Sequence, residues 1–149
     1  MNSWQWRTLG VLGIGGGCVG VVAIFMTAIS NLEFASWLIL APFCLLYMYA
    51  IYAGILALER SKLALKANIW LWALQVPIFK SSTVSYLFTC GFFAAISASK
   101  VPPNLNFNWQ LGSQFNFTIN QPNPLLVGIN IFAVGILAFL LNEKRRTAP

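Results

Sequence analysis

The sequence predicts an all-α integral membrane protein: a bundle of four transmembrane helices, with an extracytoplasmic β-hairpin between helices three and four and a cytoplasmic amphipathic segment between helices two and three. Three observations carry that expectation. Of 149 residues, 58% are hydrophobic and only 8% charged, against roughly 25% charged in ordinary soluble domains. Four uncharged stretches, at about 9–29, 34–58, 81–99 and 124–141, have about the ~20-residue length that crosses hydrocarbon. The Lys and Arg residues gather around Arg7, from Arg60 to Lys80, and from Lys144 to Arg146, with Lys100 apart, as basic residues do on cytoplasmic loops. The whole chain, 1–149, then reads as one transmembrane domain in a bacterial inner membrane, both termini cytoplasmic.

The first span opens on Trp4 and Trp6 beside Arg7, an aromatic and basic anchor at the water boundary. It is too long for the apolar core of a secretory signal, ~7–15 residues. Gly10, Gly13, Gly17 and Gly20 recur at steps of three and four, so they share one helical face on which another helix's backbone can approach closely. A short turn at Asn31-Leu32-Glu33 makes the second span its antiparallel neighbour. Pro42 allows that span to kink, and Tyr47, Tyr49 and Tyr52 suit anchoring toward its cytoplasmic half.

Between Glu59 and Leu74 the periodicity is that of an amphipathic helix at the cytoplasmic surface. Glu59, Lys62 and Lys66 fall on one side, and Leu63, Ala67, Trp70, Leu71 and Leu74 on the other. The third span carries many Ser and Thr residues, whose hydroxyls argue for burial within the bundle. After Pro102-Pro103, Leu105, Phe107, Trp109 and Leu111 alternate with amides; beyond Gly112-Ser113, Phe115, Phe117 and Ile119 alternate again. Period two on both sides of a glycine reads as a hairpin over about 105–119. Leu111 pairs with Phe115, Trp109 with Phe117 and Phe107 with Ile119, so the large side chains share one face and the amides the other. The fourth span carries Asn130, expected to bond across helices for ~0.6–2 kcal/mol. Lys144, Arg145 and Arg146 hold its end inside.

Composition excludes much chemistry. The absence of histidine removes imidazole catalysis, histidine-ligated haem and the usual zinc sites. Glu33, Glu59 and Glu143 fall at span boundaries, and Cys18, Cys44 and Cys90 lack metal or redox spacing. No catalytic, cofactor-binding or metal residue is therefore expected, and nucleic acid is excluded as a partner because the basic residues lie at span ends. The expected role is a non-enzymatic anchor or sensor subunit in the lipid bilayer, forming a homo-oligomer. Arg60, Lys62, Lys66, Lys144, Arg145 and Arg146 would recruit a cytoplasmic protein; Asn108, Trp109, Gln110, Asn116 and Phe117 would form the exterior interaction surface. Envelope-stress and phage-defence assemblies offer an analogy of architecture only. The alternative is an oligomeric pore or small-solute channel lined by the third span.

Overall fold

The computed structural model describes residues 1–30, 34–100, 103–119 and 124–147; the expected turn at 31–33 lies outside them. Two long apolar helices come first, α1 (Ser3–Ser30) and α2 (Phe34–Leu58). Both are long and apolar enough to cross a membrane, and no other helix among the described residues is. A short helix, α3 (Ala64–Leu74), leads into six strands, β1 (Pro77–Lys80), β2 (Val84–Thr89), β3 (Phe92–Lys100), β4 (Pro103–Leu111), β5 (Gln114–Ile119) and β6 (Leu126–Asn130), before a last helix, α4 (Ile131–Thr147).

The chain is therefore not a four-transmembrane-helix bundle. The expected third span is β2 and β3, and the expected fourth is β6 plus the start of α4. The physical reason lies in residue type: Val84, Tyr86, Phe88, Phe92 and Ile96 are β-branched or aromatic and alternate with Ser85, Thr89 and Ser97, a pattern that fits a pleated surface with two unlike faces. An oligomeric channel lined by a helix at 81–99 loses its lining. Asn130 likewise sits in no span. It is the N-cap of α4, its Oδ1 accepting from Ala133 N–H at 3.3 Å and from Ala94 N–H at 3.4 Å.

The expected hairpin over 105–119 is also corrected. β4 and β5 do not pair with each other; they form opposite edges of a sheet ordered β4-β3-β6-β1-β2-β5, antiparallel throughout. β5 pairs with β2 (Val84 with Ile119, Thr89 with Gln114) and β4 with β3 (Phe92 with Leu111, Lys100 with Pro103). The residue numbers of every such pair have the same sum, so one register runs through both. β2 with β3 and β4 with β5 are thus the two arms of one long hairpin, and the Gly112-Ser113 pair is a break within an arm. The opposite arm breaks at the same level, at Cys90-Gly91. Gly91 (φ +87°) and Gly112 (φ +110°) adopt left-handed conformations that other residues enter with strain. β1 and β6 fill the opening between the divergent halves.

The folded hairpin rests on α1 by its break. A Cβ on Gly16 would come within 2.5 Å of Gly91 N and 2.6 Å of Cys90 Sγ. Ser113 Oγ donates to Gly16 C=O and accepts from Gly91 N–H at 3.2 Å, Gly112 N–H bonds Gly91 C=O at 2.8 Å, and Cys90 N–H bonds Gln75 Oε1 at 2.8 Å. The backbone groups freed where the ladder breaks thus find partners. A second face of α1 meets α2. A Cβ on Gly13 would lie 2.9 Å from Ala50 O, and one on Gly17 2.9 Å from Tyr47 O, while Gly10 and Gly20 abut Leu58 and the Tyr47 ring. Around Trp72, Leu9, Ala57, Ala133 and Leu140 bring all four helices together at the other end of the sheet.

Replacing Gly16 by Ala is expected to cost about 1–3 kcal/mol through overpacking against backbone. Gly15→Ala, with nothing within 4 Å, should be neutral or stabilising by up to about 1 kcal/mol. Thermal unfolding of both variants in detergent checks this; equal Tm values would show that the apex contact is loose.

Candidate functional site

Because side chains alternate across each strand, the sheet has two chemically distinct faces. On one lie Leu105, Phe107, Trp109 and Leu111 of β4, Ile96 of β3, and Val127 and Ile129 of β6, all exposed, with Trp109 retaining 63% of its accessible surface. On the same face Phe115 and Phe117 of β5 pack on α2, their ring centroids 5.5 and 6.0 Å from that of Phe43. The opposite face carries the amides and hydroxyls of Ser97, Asn108, Gln114 and Asn116. Alternation in the sequence had placed the large side chains and the amides on opposite faces; what changes is the strand each one neighbours.

The polar face encloses a cavity of about 600 Å³, within the range of small-molecule sites. Its floor is apolar, from Ile78, Leu87, Phe93 and Leu126; Ala23 and Thr27 bring one side of α1 to it. Ser97, Asn108, Gln114 and Asn116 supply hydrogen-bonding groups, and Lys80, at the end of β1, supplies the single charge. No carboxylate is among the lining residues, so an ammonium is set against neutral donors and acceptors alone. Gln114 Nε2 donates to Gln110 Oε1 at 2.7 Å, which orients one amide pair along the rim.

The apex is closed: Cys90 is buried, its Sγ 3.7 Å from the carbonyl oxygens of Leu12 and Gly13. Among the described residues no three His, Cys, Asp or Glu side chains converge as a metal set. Tyr47, which interfacial anchoring would place at a water boundary, is fully buried and donates to Thr89 C=O at 3.2 Å. Tyr49 donates to Ala67 C=O at 3.0 Å.

A second feature gathers at the opposite end. Arg7, Arg60, Lys62, Lys66, Lys144, Arg145 and Arg146 are all exposed, and their elements meet there: Arg60 bonds Ser3 Oγ, and the Met1 ammonium pairs with Glu143. On α3 the buried stripe is Ala64, Ala67, Asn68, Leu71 and Trp72. The helix is thus rotated from the expected apolar stripe, and Leu63, Trp70 and Leu74 remain exposed. Buried Asn68 explains the rotation, its Nδ2 bonding Ala53 C=O at 3.0 Å and Ala64 C=O at 2.9 Å.

Of the residues singled out from sequence, Asn108 and Asn116 line the cavity, while Trp109 and Phe117 point away from it. Gln110 stands at its rim. Lys80, Gln114, Ser97 and Thr27 were not singled out. Lys80 had a signal: it is one of the few charged residues outside the basic end, and it follows an apolar stretch directly.

Cys90, buried in the native chain, should resist N-ethylmaleimide at pH 8 in detergent and react once the chain is denatured. Mass mapping before and after denaturation checks this, and rapid native labelling of Cys90 would show that the apex opens. Comparison with protein-family models, curated proteins and solved structures returned no match.

Proposed function

We propose that the chain is a non-enzymatic, membrane-embedded anchor or sensor subunit that holds a polar ligand in the sheet cavity and presents its basic end to a cytoplasmic partner. The observation that supports this most directly is how the surface is divided. Exposed charge on the helices gathers at one end, whereas the flanks present Val11, Val19, Val22 and Phe25 of α1 and Leu38, Leu45 and Met48 of α2.

The sheet runs beside the helices along much of their length. Its break touches α1 at Leu12, Gly13 and Gly16, it meets α2 at Phe43 and Tyr47, and Thr27 and Leu40 share cavity walls with it. A bilayer that contains α1 and α2 therefore also contains the sheet. Its apolar face outward and polar face inward is the arrangement of sheets in lipid. Open strand edges are costly in hydrocarbon, and β4 and β5 are both edges. Pairing with a second copy removes that cost, which supports a homo-oligomer.

The basic end then lies on the cytoplasmic side by the positive-inside rule, with both termini there. α1 runs unbroken from that end to the cavity wall at Thr27, so a ligand that shifts α1 would be felt by the partner. Lys80, Ser97 and Ser113 line the cavity with no carboxylate, imidazole or thiol among the lining residues to activate them, which favours binding over catalysis.

Membrane placement is tested with a cysteine-free chain carrying Arg7→Cys or Arg146→Cys. Both sites should react with an impermeant maleimide in inverted vesicles and not in right-side-out ones, and the chain should stay in the pellet after carbonate extraction. Labelling of the two sites from opposite faces, or release by carbonate, overturns the proposal.

A further inference from the structure

Three cavities adjoin one another, and their chemistry changes in one direction. The sheet cavity shares Thr27, Phe115 and Asn116 with a second of about 250 Å³, which lies between β5 and the helices and reaches Ile39 and Leu40. Leu40 also lines a third, of about 300 Å³, between α1 and α2. Ile24, Phe25, Trp37, Cys44 and Leu45 wall that third space, and no charged side chain does. Phe25, Trp37 and Leu45 are exposed on the outer surface of the helix pair. The path therefore begins at an ammonium among amides, passes one asparagine and two threonines, and ends in an apolar groove on the flank of the molecule.

We propose that this path binds one anionic acyl amphiphile, its headgroup at Lys80 and its chain running past Leu40 into the groove of Ile24, Trp37 and Cys44. The assignment rests on the membrane-embedded reading, because only then does the groove open on hydrocarbon. Lys80 selects the charge. With no carboxylate in the cavity wall, an anion gains a charge-assisted bond with Lys80 and displaces no protein anion. Asn108, Gln114 and Asn116 donate through their NH₂ groups and accept through their carbonyls, which suits the esters and hydroxyls of a headgroup. A wholly polar solute would leave Ile78, Leu87, Phe93 and Leu126 unmatched, and the two further cavities unused. A neutral lipid would gain no charge-assisted bond from the half-buried Lys80.

The test titrates the detergent-purified full chain with lysophosphatidylglycerol, with lysophosphatidylcholine of the same acyl chain, and with glycerol 3-phosphate, read by native mass spectrometry. Saturable one-to-one binding of lysophosphatidylglycerol is expected, at least about tenfold tighter than lysophosphatidylcholine, with glycerol 3-phosphate far weaker. Lys80→Gln should erase the preference, Lys80→Arg should keep it, and Ala41→Trp, at an exposed position of the groove wall, should weaken both lysolipids. Equal affinity for the two lysolipids, or an unchanged preference in a folded Lys80→Gln chain, overturns the headgroup site. An Ala41→Trp chain that binds as the parent does overturns the acyl path. If Lys80→Gln does not fold, the parent's lipid preference and Ala41→Trp decide. Glycerol 3-phosphate binding as tightly as lysophosphatidylglycerol overturns the amphiphile but leaves a polar ligand in the cavity; no saturable binding of any probe overturns both.

Discussion

The close approach of Gly16 on α1 to Cys90-Gly91 is the constraint on which the rest of the molecule depends. A side chain at Gly16 would hold the hairpin away from the helix, and the bonds from Ser113 Oγ to Gly16 C=O and from Cys90 Sγ to Leu12 and Gly13 C=O would lengthen together. The break itself sets the separation of the two sheet halves, and β1 and β6 occupy the space that separation leaves. The cavity follows from this geometry: a flat hairpin of the same sequence would present its amides on an open surface. Two glycine-bearing faces of one helix therefore do separate tasks, Gly10, Gly13, Gly17 and Gly20 for α2 and Gly16 for the sheet.

The polarity of the sheet is reversed from that of a sheet packed on a soluble core, where the apolar face is the covered one. Here β4, β6 and the outer part of β3 leave their apolar face uncovered; β2 and β5 are covered by Phe43 and Tyr47 of α2, and Phe92 of β3 by Phe132 of α4. An uncovered row from Leu105 to Leu111 is a liability in water. In the proposed bilayer placement it is solvated by acyl chains, and the polar groups are the ones that need shelter. The same inversion places the half-buried Lys80 on the polar, cavity-bearing face.

How much of this was legible in the sequence depended on the element. The first two helices were legible because length, lack of charge and glycine spacing agree, and the alternation in β4 and β5 correctly separated large side chains from amides. Strand pairing was not legible. Gly112-Ser113 reads as a turn because a glycine between alternating runs usually is one, and nothing local reveals that Gly91 breaks the opposite arm at the same level. The run from Ser81 to Ser99 was misread because its total hydropathy suits a helix. Its period-two order, with Val84, Tyr86, Phe88 and Phe92 on one parity and Ser85, Thr89 and Ser97 on the other, was the better signal. Asn130 reads as a buried amide of a long span, although an amide before an apolar run is equally a helix start. The cavity drew on residues too scattered, from Thr27 to Leu126, for spacing to connect them.

The position of β6 has a consequence for how the molecule is made. The long hairpin joins neighbouring parts of the chain, but its halves are bridged only when β6, the last strand in the sequence, inserts between β3 and β1. Long-range pairings of this kind form late, after the entropy of closing the intervening chain has been met. During synthesis α1 and α2 can pair while the sheet is still two unjoined pieces, with Lys80 and the amides not yet brought together. The cavity comes into existence with the final strand, when Leu126 pairs with Lys80 and completes the floor, so it belongs to the whole sheet and to neither half alone.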